Sequence, residues 1–393
     1  MRPLSYGAET KEANLTISNP SSSATAESTE ADHRFRGQLH RIQGILTVAV
    51  GCFVSSQLAW AQAAEGPPAK EASPWILLPT FSNNPKLGTS VGALGAYIRK
   101  FDAESQVSMF GVNGQYTSTN SMTLGAFARA SFARDHQRVL LLAAGGVIKN
   151  DYDDFLGTGV PLQSDDNLRA FVGRYLYRVK DDWFLGAQAI STNYQIVGQA
   201  ALDEEILSVL GLTGFKAGGI GVSLYHDSRD LQDAPRHGWL LNLNNVAYRQ
   251  GIEGSSDFDV YRADYRQFWS HGNGHVFALR QSNQWTVNAP PSAFAPVLLR
   301  GYTMGEYLGK NMSSIEVEER HRIAARWTAT MFGGVACLYG ANRSCSNSED
   351  RFPSAGFGVQ YILKPAQGIV ANLEFAAGKA GNRALLFKMG YSW

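Results

Sequence analysis

The sequence predicts an all-β fold, a transmembrane antiparallel β-barrel of about sixteen strands with an external loop folded into the lumen. Three observations predict it. Only 18% of the 393 residues are charged and 40 are glycine, whereas a soluble domain carries roughly 25% charged residues. No segment after Pro74 is apolar enough for a spanning helix, so in lipid only strands closed edge to edge could satisfy the backbone. Finally, many segments alternate apolar and polar residues over ten or more positions, the length of a tilted span. A soluble β-sandwich shows the same period; the strand lengths and the opposite charges set in one register favour the barrel.

Taken in order, residues 1–35 are polar and without periodicity, and no function is assigned to them. Arg34, Arg36, His40 and Arg41 then precede an uncharged run from Ile42 to Ala64, with an apolar centre around Ile45–Val54. The run ends at Ala59-Trp60-Ala61 or Ala61-Gln62-Ala63, small-x-small sites of the kind signal peptidase cuts. Its length would also suit a membrane anchor, but Ser55, Ser56 and Gln57 interrupt it. Residues 1–63 are therefore read as a leader plus signal peptide, 64–74 as a short periplasmic tail and 75–393 as the barrel. The expected location is the bacterial outer membrane, as an integral multi-span protein.

Strands are expected near 75–81, 88–99, 105–116, 121–133, 138–149, 167–180, 182–195, 214–227 and 238–249. Seven more follow near 257–271, 274–286, 312–327, 328–339, 354–363, 368–378 and 384–393. With both ends in the periplasm, the long connections 150–166, 196–213, 287–311 and 340–353 all fall outside, as they do in outer-membrane barrels. Tyr261, Ala263 and Tyr265 oppose Arg262, Asp264 and Arg266; Ile315, Val317 and Ile323 oppose Glu316, Glu318, Arg320 and Arg322, although Glu319 and His321 break that apolar face. The final segment places Phe387, Met389, Tyr391 and Trp393 on one face, a C-terminal strand signal. Pro79 is expected to cut the first strand short, because it cannot donate to a ladder.

The chemistry of catalysis is missing. No G-x-S-x-G elbow, phosphate-binding loop or metal-ligand spacing occurs. Tyr225, His226, Asp227 and Ser228 resemble a constellation on paper, but adjacent strand residues point to opposite faces. The reading is that the protein is not an enzyme and takes no cofactor or metal. A net charge of +1 gives no footprint for nucleic acid. Cys337 and Cys345 flank a loop rich in Ser and Asn, and an oxidising envelope allows a disulfide between them.

Three ordered signatures remain. Leu299-Arg300-Gly301-Tyr302 forms an aliphatic-R-G-aromatic tetrad; Gly218–Gly238 contains a strand and then Asp227-Ser228-Arg229-Asp230 with Pro235 and Gly238; Asn311 to Arg320 ends in Glu318-x-Arg320. These residues resemble the BamA/TamA-type outer-membrane assembly and secretion superfamily, the bacterial surface antigen family, over about 75–393. Asp227, Arg229, Asp230, Pro235 and Gly238 match that family's periplasmic turn signature. An arginine carried into a lumen needs a carboxylate to replace its lost water, and Glu316 and Glu318 point inward on the next strand. The resemblance implies the same latch, with Leu299, Arg300, Gly301 and Tyr302 on the loop and Glu316, Glu318 and Arg320 on the wall. Relatives commonly brace the arginine with an aspartate in F-x-D-x-G. Here Met331-Phe332-Gly333-Gly334-Val335 has no carboxylate, so Glu318 or Glu316 would hold Arg300 alone.

No POTRA domain of the kind the assembly factors carry is expected ahead of residue 75, and the chain resembles the branch made of the barrel alone. The expected activity is assistance to protein or lipid insertion or translocation through a weak seam between first and last strands. The alternatives are a loop-gated passive pore and a structural or adhesive surface protein. Expected partners are outer-membrane lipid and a periplasmic or membrane protein supplying a POTRA-like function, with oligomeric state left open.

Overall fold

The computed structural model describes residues 73–84, 88–152, 162–198, 215–254, 256–302 and 306–389. The leader and signal peptide, most of the expected tail, and Tyr391 and Trp393 lie outside the described residues. Eleven strands run in sequence: β1 (Trp75–Asn84), β2 (Gly88–Arg99), β3 (Ser108–Thr117), β4 (Met122–Phe132), β5 (Gln137–Tyr152), β6 (Leu162–Lys180), β7 (Trp183–Gly198), β8 (Phe215–Asp227), β9 (Gly238–Tyr248), β10 (Phe258–His271) and β11 (His275–Val287). A long connection holds the two-residue strands β12 (Ala295–Pro296) and β13 (Leu308–Gly309). The wall resumes with β14 (Asn311–Arg322), β15 (Trp327–Tyr339), β16 (Arg351–Lys364), β17 (Ile369–Gly378) and β18 (Arg383–Met389). β11 pairs with β14, β18 returns to β1, and sixteen antiparallel strands form one ring; β12 and β13 make a separate ladder.

The ring is apolar outside and polar inside. Ile220, Val222, Met331 and Phe357 are 57, 62, 63 and 62% exposed, while Glu318 and Glu374 are 0% exposed. A water-soluble sandwich would show the reverse, because buried carboxylates are rare and large apolar patches are normally covered. Along β14 the even-numbered residues Met312 to Arg320 are buried, and Ile315 and Val317 are exposed. Glu319 and His321, which interrupt that outer face, meet histidines of β10 and β11. The His271 ring nitrogen Nε2 lies 2.9 Å from a Glu319 carboxylate oxygen, and His275 stacks on His321 at 3.9 Å. His226 also turns outward, against Trp239 at 3.6 Å, while Asp227 is held by inward-facing partners; the Tyr225–Ser228 run is therefore not one cluster.

Several boundaries differ from expectation. β1 continues through Pro79, which pairs with Ala93 of β2, and reaches Asn84. The described seam with β18 is carried by Ser82↔Leu386 and Asn83↔Leu385, so it places no ladder pair at Pro79. The reversal after β14 falls at 323–326, where the amides of Ile323 and Ala324 donate to the Trp327 carbonyl, so Ile323 is in a turn and Trp327 opens β15. β6 begins at Leu162, because pairing with β5 extends through the polar pair Lys149↔Asp165 to Tyr152↔Leu162. A short helix, α1 (Gln250–Glu253), sits in the β9–β10 connection.

At the end carrying the described N-terminus, Asp102 ties two reversals together. It accepts the Ser105 hydroxyl at 2.7 Å, the Ser105 and Glu104 amides at 2.8 and 3.1 Å, and the Arg134 amide at 3.1 Å. The Ser105 hydroxyl, with these amides, lowers the carboxyl from 3.8 to about 2. A depressed carboxyl stabilises above its unfolded value and loses that contribution as pH falls through the folded one. Amide exchange at Ser105 and Arg134 is thus expected to stay slow at pH 4 and to accelerate toward pH 2; equal acceleration in Asp102→Asn would refute this.

Candidate functional site

Arg300 lies in the long β11–β14 connection, and its guanidinium meets the inward face of the barrel. Nε and Nη2 donate to Glu316 Oε1 at 3.1 and 2.7 Å, and Nη1 donates to Glu318 Oε2 at 2.6 Å and to Glu374 Oε1 at 3.4 Å. Its side chain is 4% exposed. A planar fork suits this role because its donors diverge toward separate carboxylates, which a point-like ammonium cannot match. The Phe332 ring lies beneath it, 3.4 Å from the guanidinium carbon. Glu316 and Glu318 thus do not hold Arg300 alone. Glu374 on β17 adds a third carboxylate, and Phe332, in the stretch without an aspartate, supplies an aromatic face. Gly356 makes room for that ring, since a Cβ there would stand 2.3 Å from Phe332 Cζ.

The rest of the tetrad fastens the backbone. Gly301 has φ +95°, a conformation that favours glycine. Leu299 packs with Val297, Met312 and Leu338. The Tyr302 hydroxyl donates to the Pro353 carbonyl at 2.6 Å and accepts the Lys379 amide at 2.7 Å. Ser354 Oγ donates to the Arg300 carbonyl. Nearby, Cys337 and Cys345 are joined as a disulfide with Cα atoms 5.5 Å apart. Closing so short a loop is worth about 2–3 kcal/mol in the chain-entropy account. Reduction is therefore expected to lower the unfolding midpoint modestly, and free thiols on the non-reduced protein would remove this bond.

The second cluster is the turn signature. Asp227 accepts Arg138 Nη1 at 2.8 Å and Arg229 Nε at 2.6 Å. Asp230 accepts the Arg236 amide at 2.9 Å, which folds the 228–237 segment on itself. Gly238 has φ +93°, and a Cβ there would stand 2.2 Å from the Ser228 carbonyl oxygen. Asp233 takes a two-pronged contact from Arg129 of β4, with Nη1 at 2.8 Å and Nη2 at 2.5 Å. Pro235 offers its carbonyl to Arg320 Nη1 of β14 at 2.8 Å. β4 and β14 stand eight places apart in the ring of sixteen, so this connection crosses the bore and is anchored to opposite walls.

Arg320 joins the two clusters. Its Nε donates to Glu318 Oε1 at 2.8 Å while Arg300 occupies Oε2. An unbroken polar path therefore runs from Arg300 through Glu318 and Arg320 to the crossing segment. Of the terminal signature, Phe387 stacks on Phe81 across the seam at 5.7 Å and Met389 pairs with Ala371. These residues lie apart from the Arg300 cluster. Glu374, Phe332, Arg129, Asp233 and Arg138 were not singled out from the sequence; for the four strand residues the available signal was inward parity, which marks a face and not a partner, and Asp233 lies in the connection after β8.

No family model matches the chain, and no curated protein matches it in sequence. Its fold is that of solved outer-membrane barrels. BamA from Haemophilus ducreyi lacking POTRA domains 1–3 superposes with a TM-score of 0.51 at 12% identity, covering 81% of this chain and 71% of that one. CdiB from Acinetobacter baumannii gives 0.53 at 12%, covering 81% and 59%. CdiB from Escherichia coli gives 0.52 at 9%, covering 81% and 64%.

Proposed function

We propose that this chain is an integral outer-membrane barrel that assists insertion or translocation of protein or lipid through the β1–β18 seam. The observation carrying the reading is that, among the described residues, this seam holds two ladder pairs, Ser82↔Leu386 and Asn83↔Leu385, beside ten between β1 and β2. Residues 79–81 and 387–389 are both strand residues, yet they contribute no pair to it. An incompletely paired edge is the easiest place for a foreign strand or a lipid headgroup to enter. The role is non-enzymatic, asks for no cofactor, and suits a periplasmic or membrane partner that presents the client.

A seam lock tests it. Asn83→Cys with Leu385→Cys, in a background of Cys337→Ala and Cys345→Ala, is oxidised in proteoliposomes containing a fluorescent phospholipid and an unfolded outer-membrane barrel polypeptide as client. Lipid translocation or client insertion is expected to stop on oxidation and return on reduction. Unchanged rates in the locked protein would overturn the reading.

A loop-gated passive pore is the second reading, supported by the 228–237 segment crossing the bore and by the Arg300 connection seated on the inner wall. Planar-bilayer conductance separates the two, since a pore conducts with the seam locked.

A further inference from the structure

We propose that the lumen contains a binding site for a compact tetrahedral oxyanion of the phosphate kind, centred on Arg174, with Arg262 as a further cation outside the cavity lining. The first observation is a charge imbalance on one wall. Arg138 is matched by Asp135 and Asp227, and Arg266 and Arg280 share Asp264 at 2.5 and 2.8 Å. Arg174 and Arg262 have no carboxylate among the described residues. Arg174 Nε and Nη2 donate to the Gln188 amide oxygen at 3.1 and 2.8 Å, and Arg262 Nε donates to the Gln284 amide oxygen at 3.1 Å. The wall between them is amide: the Gln188 Nε2 donates to Asn244 Oδ1 at 3.0 Å, and Asn244 pairs in register with Arg262. Like charges facing a space with reduced solvent screening are costly unless a counter-charge occupies it.

The second observation is the space itself. A cavity of about 110 Å³ is bordered by Arg174, Arg129, Arg138, Tyr225, Ser131 and Gln232 and by five apolar side chains, and Arg262 lies outside this lining. A single water needs roughly 10–15 Å³ measured this way, so the space admits a five-atom oxyanion. The third is an unused donor. Arg129 spends both Nη groups on Asp233, but its Nε is buried with no acceptor, and a buried donor without a partner is costly. Arg174, Arg129 and Tyr225, each able to donate, therefore border one small volume. That arrangement favours the multiple oxygens of an oxyanion over a spherical halide.

The same chemistry is offered by free inorganic phosphate and by the terminal phosphomonoester of a small solute. Full-length protein in detergent, at constant ionic strength made up with chloride, is titrated calorimetrically with sodium phosphate and separately with glycerol phosphate. Saturable binding of phosphate is expected, with affinity at least tenfold lower in Arg174→Gln and unchanged in Arg351→Gln, an exposed arginine at the start of β16. Equal affinity for glycerol phosphate assigns the site to a solute's phosphomonoester; its exclusion assigns it to the free ion. Heat-modifiable gel migration confirms that each variant is folded. Should Arg174→Gln fail that check, Arg262→Gln is the reading, with at least threefold weakening expected. Absence of saturation, or equal affinities in the wild type and the folded lumen variant, would overturn the proposal.

Discussion

Arg300→Ala is expected to destabilise the barrel by about 3–5 kcal/mol, the usual cost of removing one member of a buried, hydrogen-bonded ion cluster. The cost comes chiefly from what is left behind. Glu316, Glu318 and Glu374 are 3, 0 and 0% exposed, and without the guanidinium Arg320 on Glu318 at 2.8 Å and Lys388 near Glu374 at 3.9 Å offset part of their charge. Arg300→Lys keeps the charge but loses the divergent fork and the flat contact with Phe332, so an intermediate loss is expected. The measurement is a denaturant midpoint in lipid vesicles, followed by loss of heat-modifiable migration. If the connection around Arg300 obstructs the bore, Arg300→Ala also raises open-channel probability in planar bilayers. A midpoint unchanged within about 0.5 kcal/mol, the range of surface substitutions, would show that the cluster contributes nothing to stability.

Asp227→Asn is expected to have the next largest effect, again about 3–5 kcal/mol, because it leaves Arg138 and Arg229 short of a charge they both use. Its consequence should be directional. Asp227 roots the connection that spans the bore, so its loss frees the 228–237 segment at the β8 end while Asp233 and Pro235 still reach β4 and β14. Conductance is expected to become noisy, with frequent brief openings. Asp233→Asn removes a more exposed contact, whose arginine partner is 31% exposed, and should cost less stability. Breaking Arg320→Ala should disturb both clusters at once, since that guanidinium holds Glu318 and the Pro235 carbonyl together. Additive effects of Arg300→Ala and Asp227→Asn, set against non-additive effects of each with Arg320→Ala, would show that the path is energetically continuous.

Much of this arrangement was legible before any coordinates. The alternation along β14 assigned Glu316, Glu318 and Arg320 to one face, and the tetrad marked Arg300 as a cation needing an acid. The third carboxylate was hidden because Glu374 is 74 residues further along the chain, on a strand whose own pattern says only that it faces inward. Phe332 was hidden for a related reason: a missing aspartate reads as a loss, and only the stacked ring shows what replaces it. The Asp227–Gly238 signature was read as a turn, and its length gave no hint that it would lie across the bore and not along the rim.

The amino-acid order by itself determined which face each strand residue takes, because successive side chains alternate by covalent geometry and need no distant partner. It determined the strand count for the same local reason. Tertiary structure alone decided which inward groups meet. That depends on the register of all sixteen ladders and on closure, which bring β14 beside β15, β17 across from the Arg300 connection, and two opposite walls within reach of one ten-residue turn. Charges placed by a period of two find their partners only when the ring fixes the distance across it.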